Sequence, residues 1–150
     1  MWTCPRCKHS FYNRNQAHSC GHFTVQDFEK GKSEISVRLF HLFLEKYREI
    51  GDYELHPVKT RVALLTKIRF AAVNRLAKDS LEGHFVLTAA YPDDTVIFKI
   101  DNLNNRFFVH HFRLSQPADI NKALLKYMRL AYAVGQREHI MPQKKGREDN

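Results

Sequence analysis

Residues 55–78 read LHPVKTRVALLTKIRFAAVNRLAK, and this stretch decides the fold. It holds no Asp or Glu, yet Lys59, Arg61, Lys67, Arg69, Arg75 and Lys78 stand among Val, Ile, Leu and Phe. Ile68 and Phe70 alternate with Lys67 and Arg69. That period of two suits strands that bury one face and present cations on the other. Around it, strands are predicted at about 53–56, 60–66, 68–76, 84–90, 95–101 and 105–114. Turns fall at Asp79 to Gly83, Tyr91 to Asp94 and Asn102 to Asn105. With no helical crossover between them, such strands predict an antiparallel meander. Asp93 and Asp94 read as solvated turn residues. In the last strand Phe107, Val109, His111 and Arg113 alternate with Phe108, His110, Phe112 and Leu114, so His111, and not His110, shares a face with Arg113.

Helices flank these strands. Thr24 with Asp27 three residues on makes a capping box, and Phe23 with Phe28 has the spacing of a hydrophobic staple. Ser33 caps a longer helix that Gly51 ends. Its two apolar stripes, Ile35, Leu39, Leu42, Phe43 and Ile50 beside Val37, Phe40, Leu44 and Tyr47, imply cover on both sides. The sheet supplies one cover, and the N-terminal segment or a partner chain the other; His41 reads as a satisfied structural histidine. A closing helix begins near Ser115-Gln116-Pro117, carries Ile120, Leu124, Tyr127, Met128, Ala131 and Val134 on one stripe, and stops at Gly135. The fold class is α+β, an antiparallel β-sheet packed by helices and preceded by a small zinc-binding module. The divisions are 1–23 for the zinc-finger-like module, 24–136 for the sheet domain and 137–150 for a polar tail.

All three cysteines lie in the first twenty residues, beside histidines. Cys4-Pro-Arg-Cys7 is a CxxC knuckle that turns two thiolates toward one ion. His18 and Cys20 complete a tetrahedral set, C-x2-C-x10-H-x-C, for a structural Zn2+. His22 competes with Cys20 for the fourth place, because His18 and His22 are spaced as on one helical face; Gly21 and the thiolate preference of a closed site favour Cys20. A redox CxxC sits at a helix start after a strand, and nothing ahead of Cys4 reads as that strand. Four protein ligands leave no open position, so the metal stabilises rather than catalyses, contributing about 10–16 kcal/mol to folding a module with little core beyond Trp2 and Phe11.

The 150 residues carry 43% hydrophobic side chains, enough for one folded domain and a small appendage. The net charge of +8 favours anionic partners such as nucleic acid or a phosphorylated ligand. No run approaches the roughly 18 apolar residues of a membrane span, and the first residues lack a signal core, so the expectation is a cytoplasmic protein without a membrane partner. There is no HExxH, P-loop, GxSxG or dinucleotide fingerprint.

The pattern CPRCKHSFYNRNQAHSCG, followed in order by ELHPVKTRVALL, IRFAAVNRL, EGHFVL, VHHFRL and LAYAVG, resembles bacterial proteins of the domain of unknown function family 5655. The resemblance runs from Trp2 to about Val134. It implies a small α+β domain, here preceded by a zinc-finger-like segment, and no established reaction. It also draws attention to His56, Pro57, Lys59, Arg61, Arg69, His110 and Arg113.

Taken together, His56, Lys59, Arg61, Arg69, His110, His111 and Arg113 form the candidate anion-binding set. The favoured function is a zinc-stabilised basic protein that binds nucleic acid through phosphates, with Arg6, Lys8, Arg14, Lys59, Arg61 and Arg69 as contacts and Phe11 or Tyr12 stacking on a base. Two alternatives stand beside it. One is a pocket for an anionic small molecule, or an enzyme in which Arg61 and Arg113 hold an anion and His56, His110 or His111 transfers a proton. The other is a protein-interaction module whose apolar helix makes a homodimer.

Overall fold

The computed structural model describes residues 2–3, 10–11, 23–58, 60–91 and 96–138. Two short strands, β1 (Trp2–Thr3) and β2 (Ser10–Phe11), pair antiparallel. Then come α1 (Val25–Glu29), α2 (Glu34–Ile50), β3 (Glu54–Pro57), β4 (Val62–Leu65), β5 (Arg69–Ala77), β6 (Ser80–Leu87), β7 (Ile97–Leu103), β8 (Phe107–Leu114), a 3-10 turn (Pro117–Asp119) and α3 (Lys122–Gly135).

The helix starts form where local chemistry puts them. The Thr24 side chain accepts from Asp27 N–H, and the Asp27 carboxylate accepts from Thr24 N–H, closing the capping box. Ser33 caps α2, and Gly51 follows its last turn. Asn121, not Gln116 or Ser115, caps α3, with the 3-10 turn in front of it.

The six strands form one antiparallel sheet in the order β3-β4-β5-β6-β8-β7. The expected meander therefore holds through β6 and then breaks, because β8 takes the inner place and β7 the edge. The composition explains the exchange. FFVHHFRL of β8 packs on both sides, whereas IFKIDNL of β7 carries exposed Lys99 and Asn102 that suit an edge. An Asn104-Asn105 turn, both residues at positive φ, closes the β7–β8 hairpin. The stretch 79–83, expected as a turn, lies mostly in β6: the connection from β5 is only Lys78-Asp79, with Asp79 at φ 57° and its N–H held by the Ser33 hydroxyl.

Both long helices cover one face of the sheet, over β5 and β6. Leu81, Phe85, Phe112 and Leu114 point to that face and bury against Phe40, Phe43, Tyr47, Leu124, Tyr127 and Met128. Phe85 and Phe112 stack at 4.5 Å between centroids, and Phe43 stacks on Phe112. Gly83 makes room for this pile, since a Cβ there would stand 2.7 Å from the Phe112 ring and 2.5 Å from the Ala72 carbonyl. Tyr47 donates to the Met128 carbonyl at 2.7 Å and joins α2 to α3. At the end of α3, the Gly135 carbonyl accepts from both Lys67 and Ile68 N–H and pins the helix to the β4–β5 turn.

The cover expected on the second side of α2 is partial. Ile35 is 47% exposed, and with Leu42 it borders a cavity of about 610 Å³ against Ser115-Gln116-Pro117. His41 is exposed and pairs with Glu29 of α1, so it is partnered but not buried. No helix among the described residues is long and apolar enough to cross a membrane.

Candidate functional site

The face of the sheet away from α2 and α3 carries the titratable groups. One register row crosses the whole sheet there: His56 pairs with Ala63, Ala63 with Ala72, Ala72 with His84, His84 with His111, and His111 with Lys99. Two adjacent alanines on β4 and β5 are thus bracketed by histidines. His56 is 2% exposed and both alanines are buried, while His84 and His111 are half-buried.

Arg69 extends from β5 across β4, and its Nη2 donates to His56 Nδ1. A guanidinium only donates, so Nδ1 is the acceptor and His56 carries its proton on Nε2. Burial lowers the Arg69 pKa, and the charge of Arg61 lowers it further. Arg61 stands one residue ahead of β4, exposed, and its charge also reaches His84. Arg69 therefore feels the Arg61 charge in addition to its own burial.

Further along the row, His84 donates from Nδ1 to Asn74 Oδ1 at 2.8 Å, and His111 donates from Nε2 to the Asp101 carboxylate at 2.8 Å. The two imidazole centroids are 5.8 Å apart. Burial, then the neighbouring His111 and Arg61 charges, push the His84 pKa down to about 4, so this ring is neutral at pH 7. The hydrogen bond from His111 keeps the Asp101 carboxyl below its ordinary value. Phe98 lies beside His111 at 6.0 Å between centroids and is 51% exposed, with the Arg113 guanidinium over its ring at 4.9 Å. Arg113 is also paired with Glu82, at 3.1 Å.

No family model, curated protein or solved structure matches the chain.

Of the residues singled out in the sequence, His56, Arg61, Arg69, His111 and Arg113 belong to this face, in two groups. His56, Arg61 and Arg69 gather over β3 to β5, and His111 and Arg113 over β6 to β8. His110 is separated from both. It points into the helix side, fully buried against Tyr91 and Tyr127, donates from Nδ1 to the Phe108 carbonyl at 2.9 Å and accepts at Nε2 from Tyr91 N–H at 3.1 Å. With both nitrogens engaged, and its pKa lowered chiefly by burial, it is a structural histidine that has no part in an anion site on the other face. Lys59, the metal set Cys4, Cys7, His18 and Cys20, and its competitor His22 lie outside the described residues, as do Arg6, Lys8, Tyr12 and Arg14. β1 and β2 pair Trp2 with Phe11 and Thr3 with Ser10, on either side of the CxxC in the sequence. A short strand, β1, does precede the CxxC, contrary to expectation.

Sequence reasoning missed His84, Asn74 and Phe98. The alternation of SLEGHFVL places His84 opposite Phe85, but only the β6–β8 register reveals His111 as its neighbour. Asn74 sits in the irregularity between Val73 and Arg75, where periodicity fails. Among the described residues no group of three or more His, Cys, Asp or Glu side chains gathers as for a metal ion.

Proposed function

We propose that this chain is a zinc-stabilised binding protein that takes nucleic acid through phosphate contacts on the helix-free face of its sheet. The observation that carries the reading is Arg69 held against His56, with exposed Arg61 just ahead of β4, beside the row that His56, His84 and His111 share. Two like charges held within each other's field gain from an anion between them, and arginine meets phosphate with paired donors. Exposed Phe98 at the far end of the same face offers a π surface to a base, the role the sequence suggested for Phe11 or Tyr12. Hence phosphate and base contacts lie along one face. For the metal, strand pairing on both sides of Cys4 and Cys7 in the sequence supports a knuckle in which those thiolates, His18 and Cys20 hold Zn2+.

The experiment is fluorescence anisotropy of the zinc-loaded protein with labelled duplex DNA, single-stranded DNA and RNA, at low and near-physiological salt. Binding that persists at the higher salt and prefers one form is expected. A combined Lys59→Glu and Arg61→Glu variant should lose it at least about tenfold, the loss of one to two charge-assisted contacts. Equal binding of all three that vanishes with salt would reduce the charge to nonspecific attraction. A second reading, a single small anion between Arg61 and Arg69, rests on the same repulsion; saturable binding of inorganic phosphate without nucleic-acid binding would select it.

A further inference from the structure

We infer that His84 and His111 are the proton-transfer pair of an RNA-cleaving site, in which the ribose 2′-hydroxyl of the substrate is the nucleophile. The inference rests on the nucleic-acid reading above and names its substrate.

Each ring is anchored from its outer side and has its other nitrogen left over. His84 is held at Nδ1 by Asn74 from β5, and His111 at Nε2 by Asp101 from β7. The remaining nitrogens, Nε2 of His84 and Nδ1 of His111, have no hydrogen-bond partner among the described residues. With 5.8 Å between centroids on directly paired residues, both rings can address one phosphodiester. Their partners differ, a neutral amide for His84 and a carboxylate for His111. Burial, then the charges of His111 and Arg61, favour the neutral form of His84, which Asn74 holds at Nδ1. His111 faces the Asp101 carboxylate, itself in contact with Lys99 at 3.7 Å. The Glu82–Arg113 pair lies one row along and neutralises itself.

A pair of this kind, with a cation beside it, needs no other reactant when the substrate carries its own nucleophile. His84 Nε2 takes the 2′-hydroxyl proton as the 2′-oxygen bonds to phosphorus. The P–O5′ bond breaks with its electron pair on the 5′-oxygen, which receives the proton from His111 Nδ1. The products are a 2′,3′-cyclic phosphate and a 5′-hydroxyl, and proton exchange with water restores both rings. Arg61 is placed to offset the charge that grows on the phosphoryl oxygens. Asp101 and Asn74 are positioning residues. DNA lacks the 2′-hydroxyl and is bound without being cleaved.

The test uses the full zinc-loaded chain with a 5′-labelled single-stranded RNA of mixed sequence and the DNA of the same sequence. Expected is cleavage of the RNA only, with cyclic-phosphate ends. H84A and H111A should each lower the rate about 10²–10⁴-fold while leaving affinity for the RNA within a few fold. D101N should lower kcat with little change in KM, and D101E should restore part of it, which a merely structural role would not do. RNA bound but intact, cleavage insensitive to H84A and H111A, or equal cleavage of DNA would overturn the inference and leave the binding reading standing. No RNA binding at all would overturn both. Should either alanine variant misfold, His84→Gln and His111→Gln carry the same expectation.

Discussion

Arg69 and His56 meet above Ala63, a contact between β5 and β3 that passes over the strand between them. Ala63, the residue paired with His56, is the small side chain of β4 at that row. Ala63→Leu should therefore displace the Arg69 side chain and overpack the row, destabilising the fold by about 1–3 kcal/mol. Arg69→Met should cost a similar amount, about 1–3 kcal/mol, because a buried imidazole nitrogen loses its charged donor. Urea unfolding of both variants checks this; unchanged midpoints would remove the bridge as a structural element.

Stability should fall in mild acid. His84 and His110 both have folded pKa values below the ordinary histidine value, His84 at about 4. Above about pH 6.5 both states hold these rings neutral, and the full stability is present. Below it the unfolded chain takes up protons that the fold refuses, so for His84 stability is lost as pH falls from about 6.5 toward 4, by up to about 1.4 kcal/mol per pH unit, and His110 adds in the same direction. Asp101, held below its ordinary value by His111, adds its loss only at the acid end. Urea midpoints measured against pH should show this decline, reduced in His84→Gln.

The zinc reading predicts one Zn2+ per chain by elemental analysis, lost in Cys4→Ser or Cys7→Ser. Because the sheet and helices have their own core of Phe, Tyr and Leu, chelation should leave the strand signal in circular dichroism largely intact. Cooperative loss of the whole fold on chelation would show that the two parts depend on each other more than the core suggests.

Phe98→Ala should weaken single-stranded nucleic-acid binding by about 1–3 kcal/mol, the value of one stacked base. The fold should be indifferent, since this side chain stands half in solvent at an edge strand. Anisotropy against the same labelled strands gives the answer, and an unchanged Kd would take the base-stacking role from Phe98.

Much of the fold was legible because it is written locally. Thr24 with Asp27, Ser33 before α2 and the Asn turn of the last hairpin are short-range chemistry, and each forms where expected. The split of His110 from His111 followed from strand alternation alone. Strand order was not legible, because whether β7 or β8 lies beside β6 depends on which can be buried on both faces. Nor was the His84–His111 pair, which is made by register between strands over twenty residues apart. The bulge at Leu64/Leu65 resets the alternation and brings Arg69 to the site face, while Asn74 is the extra residue of the bulge at Val73/Arg75.

The central claim is that the Arg61–Arg69 face meets phosphates, and the salt dependence of binding tests it most directly. Affinity for a labelled single strand, measured over a range of salt for the natural protein and for Arg61→Gln, should give falling log–log lines. The variant's line should lie lower and be shallower by about 0.7–1, the loss of about one phosphate contact. Two coincident lines would show that nucleic acid binds elsewhere, and the account of this face as the binding surface would be wrong.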